Sequence, residues 1–307
     1  MTAPKLSHRP SLPKSVGLII VSIGSDRVGQ GKRARSGADS GRGLCRNETL
    51  GKMLHSNDTL AYFAHTGRMG LLEAFGISIA GFLLLYFSFA IGGWALTRCI
   101  LLPLGIGDIV EPHGLRKGQI AKEIRHSLIS IVIFGAYGAL TFEAWRYGLV
   151  TIEFEASWPR IVTDIAILVV WNEIHFYTMH RLLHTRWLFR NVHRVHHESA
   201  VPTTFSTYSF HWIESILLGS VMILAMLVRP FSAAALLALP IISLLLNTIG
   251  HWNYDLFAYC AGMRSASVEH TEHHLRVNGN FGFYMPFFDR WAGTALPRRS
   301  GIGRSTK

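Results

Sequence analysis

The sequence predicts an all-α integral membrane protein, with about four to five transmembrane helices in hairpins and a cytosolic, histidine-rich helical cap that holds a two-metal site. Three observations predict it. The chain of 307 residues is 49% hydrophobic and only 16% charged, with mean hydropathy +0.27, too apolar for an ordinary soluble domain. Uncharged runs long enough to cross a bilayer recur along it. Eleven of its sixteen histidines lie between His175 and His274, many spaced by three or four residues.

The net charge of +11 does not point to nucleic acid, because residues 1–56 hold ten Lys/Arg against three Asp/Glu and the rest of the chain only twenty against sixteen. This segment is rich in Gly, Ser and Arg and has no hydrophobic period, so it reads as a disordered basic tail. Its "SVGLIIVSIG" stretch resembles a signal-peptide core but is too short to span and lacks a small-residue cleavage site. The change of composition near residue 57 also fits a translation start at Met53 or Met69, which mass spectrometry of the native N-terminus would decide. Cys45, Cys99 and Cys260 stand far apart with no CxxC spacing and offer neither a disulfide framework nor a thiolate site.

Residues 74–97 carry no charge over twenty-four positions, about 36 Å of helix at roughly 1.5 Å per residue, and form the first span. Residues 127–142 form a second, continuing past Glu143 and Arg146, whose i,i+3 spacing lets them neutralise one another. Residues 161–179 form a third. It contains Asp164, Glu173 and His175, which belong in the bundle interior or at an interface. Residues 212–253 read as a helical hairpin turning at Arg229 and Pro230, since proline breaks a helix and an arginine there can snorkel. The turn returns His211 and His251 to one membrane face. "RKGQIAKEIRH", read as a loop before the second span, and "RLLHTRWLFRNVHR" are basic, whereas "TIEFEASWP" is acidic, so the positive-inside rule puts the histidines in the cytosol. Five spans would then place the basic tail outside, a second reason to question that tail.

The histidine spacings suggest chemistry. His180 and His184 are i,i+4; His193, His196 and His197 are i,i+3,i+4; His270, His273 and His274 repeat that pattern. On a helix each set projects from about one face, and neutral imidazole is a common metal ligand. Eight to ten imidazoles exceed the four ligands of a tetrahedral zinc, so the count argues for two metals. Glu173, Tyr177, His180 and His184 form one stripe at i, i+4, i+7 and i+11. This makes Glu173 and Tyr177 candidate catalytic residues, and Glu173 a candidate acceptor for a ligand histidine's second N–H. His175 lies about 140° away around the helix. Glu198, Glu214, Asp255, Glu269 and Glu272 are further carboxylates near the boxes.

"FYTMHRLLH", "HRVHH", "NTIGH", "EHTEHH" and "NGNFGFYMPFFDRWAGT" together resemble the sterol desaturase and fatty acid hydroxylase superfamily of membrane di-iron oxygenases, over about residues 125–296. The resemblance implies a four-helix membrane core under a cytosolic cap holding two iron ions that activate O2. Carried over by motif, the implied ligands are His180, His184, His193, His196, His197, His251, His270, His273 and His274, with His211 as the histidine following the second box. Glu173 stands where the family pattern leads one to expect Asp, and His175 is outside the motif. The implied domains are a basic tail at 1–56, a first transmembrane helix and basic loop at 57–120, a catalytic domain at 121–296 and a basic tail at 297–307.

The implied activity is hydroxylation or desaturation of an unactivated C–H position on a lipid, sterol-like or fatty acyl; the sequence leaves both reactions open. Zinc has no redox chemistry, so iron follows from the reaction. Tyr177, Trp187, Phe205, Tyr208, Phe281 and Phe283 are candidates to line the lipid path. No dinucleotide fingerprint or haem module is visible, so electrons are expected from an external donor, cytochrome b5-like or ferredoxin-like with its reductase. The C-terminal "GRSTK" is no retention signal, which favours a bacterial cytoplasmic membrane over endoplasmic reticulum. The rival reading, a histidine-rich metal-binding or metal-transport protein without oxygenase activity, places ligands near the bilayer midplane, whereas these boxes flank the spans.

Overall fold

The computed structural model describes residues 69–258 and 265–297. The tail at 1–56, the alternative start at Met53, Cys45, Cys260 and most of the C-terminal tail lie outside the described residues. Among the described residues, four helices are long and apolar enough to cross a membrane: α1 (Leu71–Ala95), α2 (Gln119–Arg146), α3 (Trp158–Leu183) and, later in the chain, α6 (Ala233–His251). Leu72, Leu84 and Leu237 on these helices are each at least 70% exposed, as a lipid-facing surface requires.

Helix α1 has no charge beyond Glu73, whose carboxylate accepts the Gly70 N–H at 2.9 Å and satisfies an orphan donor at the helix start. The chain then continues as a wider turn over Leu96–Leu101. Helix α2 begins at Gln119, so most of the expected basic loop is helical. The reason is one buried face: Glu123 accepts from Gln119 Nε2 at 2.7 Å, Ser199 Oγ at 2.7 Å and Thr203 Oγ1 at 2.5 Å. Packing of α1 on α2 depends on glycine, since a Cβ at Gly135 or Gly138 would collide with Ile79 or Ser78. Glu143 and Arg146 form the expected i,i+3 pair at 3.3 Å.

Helix α3 opens with Pro159 in its first turn and runs unbroken to the first histidine box. Near its start the buried Asp164 binds Arg160, Arg229 and the Ser232 N–H. Arg229 therefore pairs inside the fold rather than simply snorkelling, and fastens the hairpin turn to α3. That turn is further held by a parallel bridge of Ile152–Glu153 with Phe231–Ser232. The expected hairpin is present, but its first arm is two helices of eight residues each, α4 (Trp212–Gly219) and α5 (Val221–Val228). The interruption at Ser220 is braced from neighbouring helices. Tyr137 Oη donates to Ile216 C=O and Trp171 Nε1 to Val221 C=O, each at 2.8 Å, and His175 meets Ser220 Oγ at 3.1 Å.

One apolar core, including Leu168, Met226, Phe231 and Leu236, lies at the hairpin-turn end of the bundle. A second joins α1, α2 and α6 to the 204–210 segment through Tyr86, Ile131, Phe134, Tyr208, Phe210 and Leu244. At the other end lie the second histidine box, α7 (Ala266–Arg276) and α8 (Phe287–Trp291). The box is a π-helical turn at Phe189–His193 running into Arg194–His197. Ser265 Oγ caps α7 by accepting the Val268 N–H, and Val277 ends it in the left-handed region at φ 57°.

Candidate metal centre

Nine of the ten histidines singled out by the sequence converge into two groups: His180, His184, His193, His197 and His273 in one, His196, His251, His270 and His274 in the other. Within each group one ring nitrogen from every histidine lies within 4.8 Å of all the rest. The groups adjoin, with the rings of His197 and His274 4.8 Å apart.

The expectation that each HxxHH box projects as one unit gives way to a division. His193 and His197 enter one group and His196 the other; His270 and His274 pair in the second group while His273 joins the first. Successive helical residues are about 100° apart, whereas i and i+4 differ by only about 40°. An i,i+4 pair therefore shares a target, and the third histidine of each box serves the adjacent one.

Partners at Nδ1 turn several Nε2 atoms inward. His180 Nδ1 bonds Phe281 C=O at 2.8 Å, His251 Nδ1 bonds Asn247 C=O at 2.8 Å, and His273 Nδ1 bonds Gly279 C=O at 2.7 Å. The carboxylate partner is Glu214, fully buried and 2.8 Å from His193 Nδ1. Glu173 does not touch a histidine. Its buried carboxylate accepts the backbone N–H groups of Phe283, Tyr284 and Met285 at 3.0, 3.3 and 3.4 Å. Asp289 accepts those of Phe281 and Gly282 at 2.8 and 2.6 Å. These two carboxylates hold the loop whose Phe281 carbonyl orients His180, so Glu173 acts on the centre through backbone.

Two further expectations are corrected. Tyr177 turns away from the histidines, stacking on Phe288 with its hydroxyl 3.2 Å from Thr294 Oγ1. His211 stands outside both groups, because its Nδ1 accepts the Ile213 N–H at 3.3 Å and caps α4, satisfying a donor that the helix start leaves open. Glu214 is one of the five carboxylates near the boxes that the sequence offered without ranking them, whereas Asp289 and the Gly279 carbonyl had no distinguishing signal in sequence, since their roles depend on contacts with distant segments.

The donor set fits metal ions. The Nε2 atoms of His184 and His273 are buried without a hydrogen-bond partner among the described residues. Neighbouring Nε2 atoms lie 3.1 Å apart for His180 with His193 and 3.0 Å for His251 with His270. Two ligands at about 2.1 Å from one ion and about 90° apart would be about 3.0 Å from one another. Burial, before any neighbouring charge, pushes His184 down to about 3 and His273 to about 4, and holds His193, His196, His197, His270 and His274 well below the usual imidazole value. At neutral pH these rings are uncharged, the state in which imidazole binds a metal.

An apolar cavity between the helices approaches this centre. Its walls include Phe82, Phe134, Phe176, Leu218, Met222 and Leu239. Phe176, Phe210, Leu218 and Asn247 also bound a small void against His180, His193, His196 and His251. Of the expected path aromatics, Tyr208 and Phe283 line the cavity. Phe281 packs against His184 and Trp187 is 65% exposed, while Phe205 belongs to a different pocket.

Residues 165–294 match the fatty acid hydroxylase family model. The chain is 24% identical to lathosterol oxidase of Rattus norvegicus over 46% of this chain and 48% of that protein. It is 30% identical to the Delta(7)-sterol 5(6)-desaturase of Schizosaccharomyces pombe over 41% and 38%, and 40% identical to methylsterol monooxygenase 2-1 of Arabidopsis thaliana over 20% and 23%. The aligned part spans about half the length of the rat relative. No solved structure matches the chain. Over residues 165–294, then, the chain is similar to the fatty acid hydroxylase family and to sterol-modifying enzymes, and the ordered histidine boxes lie within that matched segment.

Proposed function

We propose that this protein is an O2-dependent di-iron oxidoreductase that hydroxylates or desaturates an unactivated C–H position of a lipid, sterol-like or fatty acyl. The observation that carries the reading is the junction of two buried, neutral imidazole groups with an apolar cavity inside the membrane bundle. His180, His184, His193, His197 and His273 would hold one iron, and His196, His251, His270 and His274 the other. Bound there, the irons would supply the redox chemistry that reduces O2 and oxidises the substrate. Glu214 and the backbone carbonyls fix the rings; Phe176, Phe210 and Leu218 keep the approach dry and steer an apolar chain.

Electrons would come from an external acidic carrier on the cytosolic side. Arg116, Lys117, Lys122 and Arg194 border a polar cleft of about 510 Å³ whose wall includes His197, and opposite charge would guide encounter. A bacterial cytoplasmic membrane with the histidines facing the cytosol remains our placement.

The test is metal content per chain in detergent-purified wild type, His196→Ala and His273→Ala, followed by a lipid screen under O2 with a reductant and product analysis. About two irons in the wild type, the count expected from two sites, falling in both variants, supports the reading. One zinc or no metal, with the variants unchanged, overturns it. Product masses then separate hydroxylation from desaturation.

A further inference from the structure

One imidazole in the apolar cavity is not used by the histidine groups. His175 is buried on α3 and lines the cavity with Asn172, Ser243 and Asn247, amid mostly apolar walls. Its Nε2 lies 3.1 Å from Ser220 Oγ. The serine's single proton goes to Leu217 C=O at 2.7 Å, so Ser220 can only accept from the ring, and Nε2 carries the N–H. No carboxylate lines the cavity to support a charged ring, and a neutral imidazole has one N–H. Nδ1 is therefore a bare acceptor, without a hydrogen-bond partner among the described residues.

We propose that His175 Nδ1 accepts a hydrogen bond from the hydroxyl of a neutral lipid alcohol in this cavity and so selects the carbon presented to the histidine centre. The assignment rests on the reading above that a lipid is oxidised there. A bare acceptor selects a donor, so a hydroxyl satisfies it and an ether does not. No Lys or Arg lines the cavity to balance a carboxylate or phosphate. His175 lies five residues before His180 on α3, about 7.5 Å of helix at about 1.5 Å per residue. The two side chains also leave the helix about 140° apart, so the hydroxyl and the oxidised carbon are held farther apart than that rise alone.

The test uses the full-length protein in lipid nanodiscs as wild type, His175→Gln, His175→Asn and Ser220→Ala, with metal content measured as a check on folding. Bound tritiated cholestanol is displaced by unlabelled cholestanol or by its 3-O-methyl ether. A glutamine amide can keep the Ser220 contact at the Nε2 position, whereas the asparagine carbonyl stands near Nδ1. The wild type, His175→Asn and Ser220→Ala should prefer the alcohol by about tenfold, and His175→Gln should reduce this to about twofold or less. Equal displacement by both compounds in the wild type, or an undiminished preference in His175→Gln, overturns the assignment while leaving the lipid reading in place. Loss of the preference in Ser220→Ala as fully as in His175→Gln also overturns it, since bracing would then account for both. If the wild type binds neither compound, the assignment falls; metal content and the lipid-oxidation screen then judge the wider reading separately.

Discussion

Glu214 shows how much a single contact can decide at the residue scale. Its carboxylate is fully buried, and its contact with His193 Nδ1 at 2.8 Å fixes that ring's orientation. Glu214→Ala should lower metal affinity about 10- to 100-fold, as loss of a carboxylate behind a ligand histidine does elsewhere, measured by competition with a chelator. Acid should act on the same groups. The folded chain holds His273 near 4 and His184 near 3, whereas an unfolded imidazole titrates near about 6.5. The unfolded state thus binds more protons below that value. The stability contribution is fully present above pH about 6.5 and declines as pH falls toward about 4. Metal-stripped protein should show a falling Tm from pH 7.5 to 5, and an unchanged Tm would contradict neutral buried rings.

Helices and loops carry the next set of constraints. The loop over residues 281–285 is suspended from Glu173 and Asp289, which together accept five of its backbone N–H groups. Glu173→Ala leaves three of them without that acceptor, at about 1–3 kcal/mol for each one left buried and unpaired. Faster hydrogen exchange across this loop and partial loss of metal are expected; loss of activity with full protection and full metal would instead implicate the carboxylate directly in chemistry. Where α1 meets α2, a larger side chain has nowhere to go. Gly135→Val should cost about 1–3 kcal/mol through overpacking against Ile79, read as a lower midpoint of unfolding in detergent.

At the scale of the whole molecule, the centre ties together segments far apart in sequence: α3, the second box, α6 and α7 each contribute ligand candidates. Ligand binding confined to the folded state stabilises it, by about 4 kcal/mol when metal is at about a thousand times its Kd. Chelation should therefore lower Tm, and re-addition of iron should restore it. The spans and the histidine boxes were legible in sequence because uncharged length and i,i+4 spacing are local properties. The break at Ser220 was not legible, because the hydroxyl and carbonyls there are braced by Tyr137, Trp171 and His175 from other helices. Nor was the division of each HxxHH box between two groups, which depends on what faces each side of a short helix.

The sequence by itself determined that this chain is helical, membrane-embedded and built around repeated histidine boxes, since hydropathy and helical period act over neighbouring residues. Only the tertiary structure decided that His211 caps a helix, that Glu214 and not Glu173 contacts a clustered histidine, and that His175 faces an apolar cavity. Each of those outcomes rests on a buried donor or acceptor finding its partner across the fold, and chain order does not encode that proximity.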